Sequence, residues 1–164
     1  MNLIDIVILL LCVPAVFRGL SKGFIAQAAS LVALVLGAWM SFHFSSAVVE
    51  WLGSVIDLSP TLLQVIAFTL ILVAVFLGLT VLGKMLEGIV KIVMLGWLNK
   101  LLGVVFALLK VLLAIGLVIL LFNSAATALG FDCSKMTDGS LFYDPIKNAA
   151  EVFFPYIKEM IFNK

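Results

Sequence analysis

Charge is what this chain has least of. Only 12% of its 164 residues are Asp, Glu, Lys or Arg, about half the share of an ordinary soluble domain. The formal net charge is +1, so no basic field for nucleic acid exists, and no nucleic-acid partner is expected. There is a single histidine, His43, and no second ligand stands at helical spacing from it, which excludes a metal site of ordinary pattern and makes it an interfacial residue. There are two cysteines, Cys12 in an apolar run and Cys133 in a polar segment, too isolated for a redox pair or a metal cluster. No cofactor or metal is expected.

What fills the chain instead is apolar. Hydrophobic residues make up 65% and the mean hydropathy is +1.31. A chain this short has too little interior to hide so much apolar surface from water. Lipid must therefore be the solvent for most of it, which predicts an all-α membrane protein. Its partner in the first instance is the lipid bilayer.

Four stretches have the length and composition of membrane helices. The first runs from Leu3 to about Leu20, with Asn2 and Asp5 in the pattern of a capping box and a helix-bending Pro14 inside. Its first positive charge, Arg18, follows the apolar run, the wrong order for a signal sequence, so it is expected to be a retained helix. The others run from Phe24 to Phe44, Thr61 to Leu82 and Leu101 to Phe122. Residues 45–60, with apolar positions at helical spacing and Trp51, predict a short interfacial helix. In Lys84–Lys100, the polar stripe Lys84, Glu87 and Lys91 opposite Leu86, Ile89, Val90, Val93, Trp97 and Leu98 predicts a second one, ahead of a turn near Asn99. Phe142, Ile146, Ala149, Phe153, Ile157 and Met160 mark an amphipathic surface helix bent or broken at Pro155. The expected division is a four-helix transmembrane domain over residues 1–130 and an amphipathic extracytoplasmic tail over 131–164.

Lysine and arginine set the orientation. Arg18 and Lys22 lie between the first two segments, and Lys84, Lys91 and Lys100 between the third and fourth. The 45–60 connector has only Glu50 and Asp57. Both basic loops are therefore expected in the cytoplasm and both termini outside.

Lipid gives helices no hydrophobic reason to associate, so small residues mark contact faces. Ala29, Ala33, Gly37 and Ser41 recur every four residues, as do Ala74 with Gly78 and Gly103 with Ala107. Such stripes suit packing within the bundle or a homo-oligomer; a four-helix bundle needs them anyway. Gly19 and Gly23 suit a tight turn, with Arg18 and Lys22 at anionic headgroups. Residues 19–23 also match G-x-S-x-G, but the hydrolase elbow needs a strand before it and a base nearby. Here the turn joins two membrane helices and His43 lies about a membrane thickness away. No catalytic residue is assigned and the chain is not read as an enzyme.

Lys110 is the sharpest feature. It falls about 15 Å into the fourth segment, where insertion costs roughly 2.5–3.5 kcal/mol. Asp5 is the one acid inside a predicted span, nearer the outer face. Two accounts stand open: Lys110 and Asp5 as elements of an ion or proton pathway, or a structural pair, with Lys110 otherwise reaching a headgroup.

These residues also resemble the colicin V production protein (CvpA) family of bacterial inner-membrane proteins. Asn2-Leu3-Ile4-Asp5 is similar to the family's N-x-x-D start, and Arg18-Gly19 with Lys22-Gly23-Phe24 to its paired turn motif. Leu98–Gly103 and Leu108-Leu109-Lys110 resemble its L-N-[RK]-L-L-G and L-L-K stretch, and Ser140-Leu141 with Pro145-Ile146 its closing S-x-L motif. Ala107 and Val111 depart from glycines common in the family. The resemblance implies an inner-membrane accessory or scaffold protein that supports toxin (bacteriocin) production or export and envelope homeostasis. It would act through membrane or periplasmic protein partners. The alternative is a small ion or proton channel or transporter.

Overall fold

A computed structural model describes residues 2–90, 96–131, 137 and 139–155. All regular structure among them is helical: α1 (Leu3–Gly53), α2 (Pro60–Val90), α3 (Gly96–Ala128) and α4 (Tyr143–Phe153). Three of these, α1, α2 and α3, are long and apolar enough to cross a membrane.

Helix α1 absorbs the first two predicted segments. Its dihedrals stay helical through Pro14 and break at Gly23 (φ 74°, ψ −179°), a conformation that costs a glycine little. The chain doubles back there. Gly19 lies against Gly103 and Val104, Phe24 meets Phe106, and Gln27 meets Lys110. Leu34 and Ala38 then pack with Leu113, Leu117, Leu120 and Leu121. Residues 24–38 thus run parallel to α3, while residues 3–22 run back along it. The four predicted apolar segments therefore lie in three helices.

Two expected interfacial helices are not separate elements. Residues 45–53 continue α1, because nothing breaks the helix before Gly53. Helix α2 carries through Lys84 and Glu87 to Val90, and Trp97 to Lys100 already belong to α3. Asn99 is helical, so the turn expected near it is not there. Lys91, Val93, Cys133 and residues 156–164 lie outside the described residues.

Helix α4 ends at Phe154, one residue before the expected break at Pro155. Its apolar face does not lie on a surface. Tyr143 meets Asn123, and Ile146 and Ala150 meet Gly116 seven residues earlier on α3. The helix therefore descends antiparallel to α3. Ala150 and Phe154 join Leu34, Ala38, Phe68, Leu113 and Leu117 in one core contributed by all four helices. Helix α2 packs mainly on the second arm of α1, where Leu52, Leu63 and Ala67 form a smaller cluster.

Candidate functional site

The polar residues gather at the two ends of the α1–α3 pair. At the hairpin end, three glycines bring backbones together. A methyl group on Gly19 would lie 2.6 Å from Val104 Cα and 2.7 Å from the Gly103 oxygen. One on Gly103 would run into the Gly19 carbonyl and sit 2.9 Å from Gly23 Cα. One on Gly23 would strike the Asn99 carboxamide. This closeness lets Asn99 act across the interface: the Phe24 N–H donates to its Oδ1 at 2.9 Å. Asn99 thereby caps the second arm of α1 from another helix, satisfying a donor that the break at Gly23 would leave open.

One turn further in, the Lys110 ammonium donates to Gln27 Oε1 at 2.7 Å. Gln27 is only 2% exposed and its Nε2 donates to the Arg18 carbonyl at 3.2 Å. Lysine side chains on a helix lean toward its N-terminus, so Lys110 reaches back toward the hairpin. Phe24 and Phe106, edge to face at 4.8 Å, pack beside this chain of contacts.

At the other end the partners are different. Asp5 is 0% exposed. Its carboxylate accepts from Ser140 Oγ at 2.6 Å, from the Leu141 and Phe142 N–H groups at 3.1 and 3.2 Å, and from the Asn2 N–H at 3.1 Å. The capping box is closed, and the same carboxylate caps the approach to α4. Tyr143 and Asn123 exchange hydrogen bonds at 2.7 and 2.9 Å beside it. The hydroxyl of Ser124 is buried and has no partner among the described residues.

Lys110 and Asp5 are therefore not brought together. Each meets neutral groups at its own end. Ser21 is exposed and donates to the Phe17 carbonyl at 2.8 Å, and His43 stacks on Trp39 with ring centroids 5.5 Å apart, so the G-x-S-x-G match assembles no nucleophile and base. Among the described residues no group of His, Cys, Asp and Glu could hold a metal ion. Of the small-residue stripe, Gly37 and Ser41 are buried, with Gly37 facing Leu72 and Val75 of α2; Ala33 is half-buried and Ala29 exposed. Gly103 and Ala107 are buried, whereas Ala74 and Gly78 face outward.

Sequence reasoning passed over Gln27, Gly116 and the Asn123–Tyr143 pair. Gln27 had a visible signal, since it is the lone amide in an otherwise uncharged run.

Three long apolar helices, four polar end contacts and an interior closed by leucine and phenylalanine define a multi-pass α-helical membrane protein. The chain belongs to the colicin V production protein family, whose sequence model matches residues 4–151. No curated protein and no solved structure matches it.

Proposed function

We propose that this chain is an inner-membrane accessory protein of the colicin V production type, a rigid four-pass platform on which partner proteins assemble. The observation that carries this reading is the use made of its distinctive residues. The N-x-x-D start holds the S-x-L loop, and the Arg18–Phe24 turn holds the Asn99–Gly103 stretch. Residues so engaged build a scaffold and leave the two intramembrane charges separated, which weakens a channel built on Lys110 and Asp5. Crossings by residues 3–22, the second arm of α1, α2 and α3 fit four passes, each long enough for the roughly 30 Å that a bilayer core requires. The grouping of Arg18, Lys22 and Lys100 at one end, and of Asp5 with Ser140 at the other, fits a cytoplasmic hairpin and outward termini.

The contact surface we favour is the outer side of α4. Its apolar face is buried, yet Leu141, Val152 and Phe153 remain exposed, Val152 at 77%. Helix α4 is amphipathic, so these residues add apolar area on its otherwise polar side. Photo-crosslinking from position 152 or 153 in native membranes tests this without disturbing Phe154. A reproducible protein adduct absent from a crosslinker at exposed Phe17 supports the reading. Loss of all adducts, with proton flux through liposomes instead, would overturn it.

A further inference from the structure

The hairpin end carries more positive charge than its own chemistry balances. Lys110 is half-buried, and its ammonium has three N–H donors, of which Gln27 Oε1 takes one. Gln27 also donates to the Arg18 carbonyl, which brings this ammonium to the turn that carries Arg18 and Lys22. Both are exposed at the turn. Among the described residues no carboxylate pairs with any of the three. A partly desolvated cation beside two like charges is a costly arrangement unless an anion completes it.

Further features point the same way. Gln27 is one turn, about 6 Å, from Gly23. Trp97, 75% exposed on the first turn of α3, suits the headgroup level of a bilayer. Gln27 bonds both the Lys110 ammonium and the Arg18 carbonyl, so the ammonium is drawn back to the depth of Arg18, inside the level of Trp97.

We infer that the corner formed by Arg18, Lys22, Gln27 and Lys110 binds a phosphate anion. A phospholipid headgroup supplies that chemistry from the membrane, and free phosphate supplies it from water. Arg18 and Lys22 take the outward oxygens, and the two remaining Lys110 donors take the inward one. Gln27 holds the ammonium in place through its bond to the Arg18 carbonyl. Neutralising the three cations in this way ties the hairpin to one leaflet. The site is independent of whether α4 docks a partner.

The test uses the full chain in a neutral detergent, with dioctanoyl phosphatidylglycerol, dioctanoyl phosphatidylcholine and inorganic phosphate as probes. Binding is read by native mass spectrometry and by melting shift. Phosphatidylglycerol is expected to bind more tightly than phosphatidylcholine. Its affinity should fall about tenfold in Lys110→Met and in Arg18→Gln, the loss of one charge-assisted contact. It should not change in Lys147→Gln, whose side chain lies on α4. Protection by inorganic phosphate with the same variant dependence would make free phosphate the occupant; protection by the lipid alone would make it a headgroup. If Lys110→Met does not fold, Arg18→Gln and Lys22→Gln alter only exposed groups and decide the matter. Equal affinity of wild type and these variants, or equal affinity for the two lipids, would overturn the inference.

Discussion

Replacing Gly19 by alanine probes the interface on which the hairpin depends. The added methyl group would lie 2.6 Å from Val104 Cα, where ordinary contact begins at 3.4 Å. Both obstacles, Val104 Cα and the Gly103 oxygen, are backbone atoms, so no side chain can rotate away. The helices must part by about 0.8 Å, and overpacking of that kind costs about 1–3 kcal/mol. The matched control is Gly78→Ala on α2, where a methyl group meets nothing within 4 Å. That change should be neutral or stabilising by up to about 1 kcal/mol, since alanine is the better helix former. Thermal unfolding in a mild detergent reads the difference, at about 2–4 °C per kcal/mol for a chain of this size. Gly103→Ala should match Gly19→Ala, and the double variant should cost less than the sum because the same gap opens once. A Gly19→Ala protein as stable as Gly78→Ala would refute the close approach of α1 and α3.

Other expectations follow from the polar contacts. Asp5→Ala removes the acceptor for Ser140 Oγ and for the Leu141 and Phe142 N–H groups, so hydrogen exchange at 141 and 142 should accelerate about tenfold or more; unchanged protection there would count against the clamp. Asn99→Ala orphans the Phe24 N–H and should cost about 1–2 kcal/mol, whereas Asn99→Asp keeps an acceptor and should retain most of that stability. Lys110→Met leaves the buried Gln27 Oε1 without its donor, so adding Gln27→Leu should recover stability instead of losing more. Additive losses in that pair, measured by unfolding, would show that the two side chains do not act together. Phe154→Ala opens a cavity in the core shared by the four helices, with an expected loss of about 3–5 kcal/mol.

The apolar passes were legible because bilayer thickness fixes their length. The hairpin was legible too: Gly19 and Gly23, flanked by Arg18 and Lys22, punctuate an otherwise apolar run. What escaped were the partners of the charged residues. Asp5 meets Ser140 135 residues away, and Lys110 meets Gln27 83 residues away. Reasoning from charge looks for an opposite charge, and both residues meet neutral groups instead. Asn99 suggested a turn because asparagine favours turns, yet it serves the turn of a different helix. The pattern of α4 placed Ile146 inward but missed Ala150 and Phe154, and Phe142, Ala149 and Phe153, read as part of the same face, are exposed. Gly116, buried under Ala150 and Ile146, is the residue that opens the seam on α3, and a lone glycine in a membrane helix carries no hint of its partner. The connector at 45–53 reads as interfacial by composition, but nothing in it stops a helix already under way.

In lipid these contacts matter more than their number suggests. Helices there gain nothing by hiding apolar surface from one another, so close backbone approach and polar bonds decide which ones stay together. Residues 3–22 are fastened at both ends, to α3 by Gly19 against Gly103 and to the loop that leads into α4 by Asp5. Between those fastenings the arm needs little else, and its flank of Leu9, Leu10, Val13 and Phe17 is left to lipid. Helix α2 has no such fastening to α3. It rests on the second arm of α1 through Gly37, Leu52, Leu63 and Ala67, and presents Leu70, Val73, Leu77 and Val81 outward along one side. Phe68, in the core with Ala150 and Phe154, and Val65 and Leu72 beside it tie it to α3 and α4. The bundle therefore divides into a stapled unit of α1, α3 and α4 and a more lightly held α2. Helix α2 is joined to that unit mainly by the second arm of α1 and by Phe68, which shares a core with Phe154, so loss of Phe154 should loosen α2 before it disturbs the hairpin.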